Sequence, residues 1–272
     1  MHRIFIYFRD MFLAVWINRR LIKTLAKRDI QSRYRGSIVG LTWAFLNPII
    51  LLCTYTFIFS VVFQAKWNSQ VSSKSEFAMV IFSGMIIYNM FAECIGRAPM
   101  LILTNANYVK KVIFPFEILP IVNIVAALFH AFISFMIWIF FYFIFIGIPH
   151  VSVLLIFLIA IPLLLYTAGF SWLLASLGVF LRDIIQIVTL ILTVLMFVSP
   201  VFYPLSAVPE NFRSLMLFNP LAGILEQARN VLFDQAPLDW SWLLISGLVS
   251  LFIAMLGFMW FQKTRRGFAD VI

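Results

Sequence analysis

The sequence predicts an all-α integral membrane protein, and three observations carry that prediction. Of its 272 residues 63% are apolar and 11% charged, far from the roughly 45–50% apolar usage of soluble domains. Several stretches supply the run of about 20 apolar residues that a helix needs to cross a hydrocarbon core of roughly 30 Å. Those stretches, such as 132–148 and 153–170, stay apolar at consecutive positions, whereas membrane barrel strands alternate apolar and polar residues over roughly 10 positions. A water-soluble fold and a β-barrel are thereby excluded.

Hydropathy and helix breakers predict six transmembrane helices, near 38–63, 77–96, 117–147, 152–180, 184–202 and 240–261. The third and fourth are long enough to tilt or bend. The chain divides into an N-terminal cytoplasmic or interfacial segment, 1–37, and a six-helix transmembrane domain, 38–272. Lys and Arg set the orientation. With the N-terminus inside, sixteen basic residues fall in cytoplasmic segments, and only Lys66, Lys74, Arg213 and Arg229 lie outside. Both termini are therefore expected in the cytoplasm.

The stretch Ile4 to Ile17 is interrupted by Arg9 and Asp10 and lacks a small-residue cleavage site, so a retained N-terminus is expected rather than a signal peptide. Cys53 and Cys94 sit in apolar surroundings and read as core thiols. His2, His130 and His150 lie too far apart for a metal-ligand spacing, and no metal is expected. The net charge of +9 comes from residues flanking membrane spans, which suits anionic lipid headgroups and not nucleic acid.

Asn18 to Gly36 interleaves Arg19, Arg20, Lys23, Lys27, Arg28, Arg33 and Arg35 with Leu21, Ile22, Leu25, Ala26, Ile30 and Tyr34. It reads either as an amphipathic interfacial helix or as a solvated positive flank, because Arg28 and Arg33 fall near the apolar stripe. Pro99 to Pro115 is too polar for the membrane and suits a short cytoplasmic helix. Arg182 and Asp183 form a minimal connection, read as a local surface ion pair or a partner contact. From Tyr203 to Trp240 the chain is punctuated by four prolines, and short re-entrant periplasmic helices are expected there.

No phosphate-binding loop, dinucleotide fingerprint or zincin motif is present, so the chain is not expected to be an enzyme or to hydrolyse ATP alone. Glu93 and Glu117 lie nearest to membrane depth, where a carboxylate is a functional candidate; near helix ends, each can instead reach water or pair with Arg97 or Lys111. His130 has no acidic residue one turn away on its own helix and reads as a packing histidine. Aromatics make up 17% of the chain. On the first span Trp43, Tyr55, Phe59 and Phe63 recur, the last three sharing one helical face. They read as lipid-facing or packing side chains, or as flat surfaces along which pyranose rings could slide.

Lys27-Arg28-Asp29-Ile30, Tyr34-Arg35-Gly36-Ser37, Gly40-Leu41-Thr42-Trp43 and Asn47-Pro48 resemble the entry to the first span of bacterial polysaccharide-export ABC transporter permeases. The order of motifs continues with Asn105 to Lys111, Phe114-Pro115, Glu117-Ile118-Leu119-Pro120, Arg182-Asp183-Ile184 and Phe218-Asn219-Pro220-Leu221. The resemblance covers nearly the whole chain, and the aromatic content points to the O-antigen, capsule or teichoic-acid branch of this type-2 exporter family.

This resemblance implies an inner-membrane permease that pairs with a second copy of itself and with two copies of an ATPase subunit, which binds ATP and Mg. The substrate it implies is a lipid-linked glycan. Docking to the ATPase would fall on Arg20, Lys23, Lys27, Asn105, Asn107, Tyr108, Lys110, Arg182 and Asp183. A lipid pyrophosphate would meet Arg28, Arg33 and Arg35, and the channel would be lined by Trp43, Tyr55, Phe59, Phe63, Met196 and Phe197. Gly36 and Gly40 would let the chain bend at the channel mouth. A drug or small-lipid permease of the same fold, or a membrane transferase on lipid-linked sugars, is the alternative; the latter needs clustered ionisable groups that the sequence does not display.

Overall fold

The computed structural model describes residues 2–37, 39–58, 74–106, 114–233 and 236–271. Helices α1 (His2–Ile17) and α2 (Arg19–Tyr34) open the chain. They meet at Asn18, whose side-chain amide donates to the Ala14 carbonyl at 2.8 Å. After α2 the backbone passes through Gly36 at φ +86° and Gly40 at φ +55°, left-handed conformations that glycine adopts without steric cost. A 3-10 turn, Gly40–Thr42, then leads into α3, Trp43–Tyr55.

The remaining helices are α4 (Lys74–Arg97), α5 (Leu119–Phe145), α6 (Ile156–Phe180), α7 (Ile184–Val198), α8 (Glu210–Met216), α9 (Ala222–Leu232), α10 (Trp240–Thr264) and α11 (Phe268–Val271). Five helical stretches are long and apolar enough to cross a membrane: Gly40–Ile58, Ser75–Met100, Phe116–Phe145, Val151–Phe180 and Trp240–Gly267. They fall on the expected first, second, third, fourth and sixth spans, and residues 59–63 of the first lie outside the described residues. The expected fifth span, 184–202, forms a helix only as far as Val198. Ser199 is extended because it precedes Pro200, whose ring disfavours helical backbone before it. At about 1.5 Å per residue α7 is roughly 22 Å long.

The spans differ in what surrounds them. In α4, 78% of the most apolar window is buried, against 11% in the stretch containing α3; α4 is the central helix and α3 lies at the periphery. Helix α6 packs along α10 through small residues. A Cβ on Gly169 would stand 2.7 Å from the Ile253 carbonyl oxygen, and one on Gly257 would stand 2.1 Å from that of Gly169. On its other side α6 meets the turn after α4, where a Cβ on Gly178 would come 2.0 Å from the Pro99 carbonyl oxygen. Such close backbone approach is how membrane helices gain dispersion contact without a hydrophobic drive between them.

Buried polar side chains tie the helices by donating to backbone carbonyls. The Trp138 indole on α5 donates to Met79 at 3.0 Å, and Asn123 on the same helix donates to Cys94 at 3.0 Å. The Tyr88 hydroxyl on α4 donates to Leu192 on α7 at 2.6 Å, and the Trp172 indole on α6 donates to Glu117 at 2.8 Å. No water relieves an unpaired donor at membrane depth, so each tie also fixes a helix register.

The expected short helices between 203 and 239 are α8 and α9. In the Phe218-Asn219-Pro220-Leu221 motif, the Asn219 amide donates to Ser199 Oγ at 2.9 Å and its carbonyl oxygen accepts from Leu221 N at 3.0 Å. Helix α9 buries Ile224, Leu225, Ala228 and Val231 together with Arg229, which is only 4% exposed. Arg229 donates to the carbonyls of Pro200 at 2.5 Å and Val201 at 2.6 Å, covering two acceptors of the non-helical chain that follows α7. Gly84 leaves room for it, since a Cβ there would stand 2.6 Å from Arg229 Nη2.

Two glycines of α10 separate packing from helix propensity. A Cβ on Gly257 collides with α6, whereas one on Gly247 meets nothing within 4 Å. Gly257→Leu is expected to lower stability by about 3 kcal/mol or more through overpacking, while Gly247→Leu leaves it within about 1 kcal/mol. Monodispersity in detergent and SDS-driven unfolding of both variants check this.

Candidate functional site

The inward face of α2 is read from its spacing. Ile22, Leu25 and Ala26 are buried, and continuing the same stripe by helical steps reaches Asp29 and Arg33. The stripe that the sequence shows as imperfect is therefore continuous, apolar in its first half and ionic in its second. Across from it α4 presents Glu93 and Arg97, also four residues apart.

These four side chains interlock. Arg97 donates to Asp29 in bidentate fashion, at 2.9 and 3.0 Å. Asp29 also accepts from Arg33 at 3.1 Å, and Arg33 pairs in turn with Glu93. Position 29 faces 97 and 33 faces 93, so α2 and α4 run antiparallel where they meet and the charges alternate along the contact. Their side chains keep between 22% and 39% exposure. Coulomb attraction there is stronger than in water while solvent still offsets part of the desolvation cost.

Helix α5 adds His130. Its Nδ1 lies 3.2 Å from Glu93 Oε2 and 3.2 Å from Arg33 Nη1, and its Nε2 lies 3.0 Å from the Tyr34 hydroxyl. With Nδ1 donating to Glu93, Nε2 accepts the Tyr34 proton. Burial pushes the Tyr34 phenol above its ordinary range, so it stays a hydroxyl donor. His130 is thus satisfied at both ring nitrogens, as expected of a packing histidine, and its acidic partner comes from α4, 37 positions away, and not from its own helix. Glu93 likewise pairs with Arg33 and His130 and not with Arg97. Glu117 pairs with Arg265 at 2.8 Å, and its other expected partner, Lys111, lies outside the described residues.

Two cavities flank this ionic contact. One of about 640 Å³ opens between α2, α3, α4 and α5 and is lined by Arg33, Trp43, Asn47, Asn89, Glu93 and His130 among others. A smaller one of about 270 Å³ is lined by Arg28, Asp29, Arg97, Asn105 and Asn123 among others. The first joins Trp43, expected to line a channel, to Arg33, expected at a headgroup. The second brings Arg28 of α2 beside Asn105.

Elsewhere the expected residues separate. Tyr55 of α3 and Phe197 of α7 both reach Phe202, with ring centroids at 6.0 and 6.2 Å, which places the two helices at one aromatic string. Met196 is half-buried, and Arg20, Lys23, Lys27 and Arg35 are exposed. Arg182 and Asp183 are exposed, and among the described residues they form no ion pair with each other. Phe59, Phe63, Asn107, Tyr108 and Lys110 lie outside the described residues. Sequence reading passed over the pairings of Asp29, Tyr34 and Arg97, as well as Phe202 and Arg229. The repeated acid-x-x-x-Arg spacing at Asp29–Arg33 and Glu93–Arg97 is the signal that reveals the ionic contact.

Comparison with known proteins places these elements among relatives. A family model described as ABC-2 type transporter matches residues 20–233, a segment that includes α2, the ionic contact and α9. An O-antigen export system permease protein RfbA from Klebsiella pneumoniae is 26% identical over 253 residues, covering 93% of this chain and 95% of the relative. One of the same name from Myxococcus xanthus is 28% identical over 256 residues, covering 93% of this chain and 96% of the relative.

Glu93 is shared by two partners and Tyr34 serves one, so their removal should differ in cost. Glu93→Ala is expected to destabilise by about 2 kcal/mol, because His130 loses its carboxylate and Arg33 keeps only Asp29. Tyr34→Phe is expected to cost about 1 kcal/mol. SDS-driven unfolding of the two variants in mixed micelles gives the ranking.

Proposed function

This chain belongs to the ABC-2 type transporter family, and from that premise we propose that it is the transmembrane subunit of an exporter moving a lipid-linked, O-antigen-like polysaccharide across the bacterial inner membrane. ATP is hydrolysed in a separate nucleotide-binding subunit, and the chain is a permease and not an enzyme. The observation that carries this reading is the match along 93% of the chain to relatives named as O-antigen export permeases.

In this reading two copies of the chain enclose the path and two ATPase subunits dock beneath them. The chain crosses the membrane six times with both ends in the cytoplasm, α7 being completed as a span by residues after Val198. Helices α8 and α9 dip into the outer leaflet, an arrangement supported by the buried face of α9 and by Arg229 satisfying carbonyls that no water would reach. The ATPase docks on the exposed side of α2 at Arg20, Lys23 and Lys27, on the segment containing Asn105, Asn107, Tyr108 and Lys110, and on Arg182 and Asp183. The position of Arg28 beside Asn105 supports a continuous docking face.

The glycan path follows Trp43, Tyr55, Phe59, Phe63, Met196 and Phe197, with Phe202 joined to it. Apolar ring faces suit the C–H faces of successive sugars without holding any one register. A lipid pyrophosphate is drawn to Arg28, Arg33 and Arg35 at the cytoplasmic mouth. Arg28 and Arg35, exposed on the surface, make its first contact. Arg33 is already neutralised by Asp29 and Glu93 and contributes through the cavity beside it.

Affinity purification of the tagged chain from its native membranes tests the assignment. An ATPase subunit is expected to co-purify in equal amount and to hydrolyse ATP, and deletion of the chain should trap lipid-linked glycan on the cytoplasmic side. A chain that purifies alone, without ATPase activity and without effect on the glycan, contradicts the proposal.

A further inference from the structure

Helix α1 lies outside the segment that the family model matches, and it packs against α10 and the turn Phe116–Ile118 before α5. Its two long sides border openings of opposite character. The side carrying Tyr7, Asp10 and Asn18 faces a cavity of about 730 Å³, whose other walls include Glu117, Gln262 and Arg266. The side carrying Phe12, Val15 and Trp16 faces a groove of about 520 Å³, walled by Ile124 of α5 and by Leu165 and Trp172 of α6. Leu13 borders both and is exposed, so the two openings adjoin over the outer edge of α1.

Their places along the spans match the layers of one leaflet. On α10 the polar cavity takes Gln262 and the two arginines that follow the helix, whereas the groove takes Ala254, further from that end. On α6 the groove runs from Trp172 to Leu164, about 12 Å of helix and room for much of an acyl chain. Trp16 is exposed, with the Arg19 guanidinium 4.9 Å over its ring, a pair suited to the boundary between headgroups and acyl chains. The outer face of α10 continues with exposed Leu248, Phe252 and Leu256, which turns this side of the molecule to lipid.

The cavity holds both signs of charge. Arg265 is fixed to Glu117 at 2.8 Å and to the Phe114 carbonyl at 3.3 Å, and Asp10 meets Arg9 at 3.2 Å on the surface. Arg266 is exposed and Gln262 half-buried, and among the described residues Arg266 forms no ion pair and the Gln262 amide no hydrogen bond. We propose that these two openings bind one phosphatidylethanolamine molecule over the edge of α1. Its phosphate accepts from Arg266 and Gln262, its ammonium donates to Asp10, and an acyl chain lies in the groove. A lipid of net negative charge brings no cation to Asp10 and stands against Glu117, and a choline headgroup has no N–H to donate. The inference needs only the fold and holds whatever the permease carries.

Native mass spectrometry of the full chain, delipidated in a mild detergent, measures the first lipid bound per chain. The probes are palmitoyl-oleoyl phosphatidylethanolamine, phosphatidylglycerol and phosphatidylcholine, which differ only in the headgroup. The ethanolamine lipid should bind about tenfold more tightly than either of the others, and Arg266→Gln should weaken it about fivefold. Asp10→Asn should also weaken it about fivefold and remove most of its lead over the glycerol lipid, a change of headgroup preference that a loss of structure would not produce.

Leu165→Trp fills the groove and should lower the binding of all three lipids, whereas Leu248→Trp, on the exposed face of α10 outside both openings, should leave binding unchanged. Equal affinities for the three headgroups overturn the proposal, and so does tightest binding of the glycerol lipid, which would report no more than a basic helix end. An unchanged preference in Asp10→Asn overturns it as well. If Leu165→Trp does not fold, the headgroup ranking and Asp10→Asn decide the matter by themselves.

Discussion

The contact between the ionic end of α2 and the facing turn of α4 decides how the amino-terminal third of the molecule is held. A positively charged helix at a membrane surface has every reason to lie loosely on lipid headgroups. Here two of its charges face inward instead and alternate with two charges of α4, and Glu93 is shared with His130 of α5. Asp29, Arg33 and Glu93 each have two partners, so the set is braced more strongly than an isolated exposed pair, and loss of Asp29 would leave Arg97 without its carboxylate. Because this contact is made, α2 takes its direction from α4 and α5, and the cavity beside Trp43 acquires a polar wall.

The rest of the membrane domain obeys a different constraint. Apolar residues cover all of its helices, so hydrophobicity cannot choose which faces meet. Contact is selected by glycines that admit a neighbouring backbone, as at Gly169, Gly178 and Gly257, and by indole, amide, hydroxyl and guanidinium groups that each find a carbonyl. Arg229 belongs to this second group. It ends up buried because the short α9 brings a cation to two carbonyls, those of Pro200 and Val201, in the non-helical chain that follows α7.

Most of the helical layout was legible in the sequence, since hydropathy reports the length of an apolar run and the runs at 77–96, 117–147, 152–180 and 240–261 are long. The helix in the fifth run stops short of the expected bound because hydropathy does not register backbone geometry; Ser199 and Pro200 are compatible with an apolar environment but not with a continuing helix. The ionic contact was missed for another reason. The partners of Glu93 and His130 come from other elements, 60 and 37 positions away, which no pattern along a single helix displays. Arg33 was read as a flaw in an apolar stripe, although a charge on an inward face is itself a sign of a partner across the interface. The family resemblance rests on motifs that the structure explains in part: Asn219 ties a turn to Ser199, and Tyr34-Arg35-Gly36 ends α2 at its histidine contact and at a left-handed glycine.

A permease must change shape without breaking the helices around its path, and a helix tied to two spans by an ionic contact is placed to move with them. That account stands on the strength of the tie between α2 and α4. A double-mutant cycle on Arg33→Ala and Glu93→Ala, read by SDS-driven unfolding in mixed micelles, measures it directly. A coupling of about 1.5–3 kcal/mol between the two positions is the result this account requires; additive effects, with no coupling, would mean that this pair does not hold α2 to α4 and would contradict it.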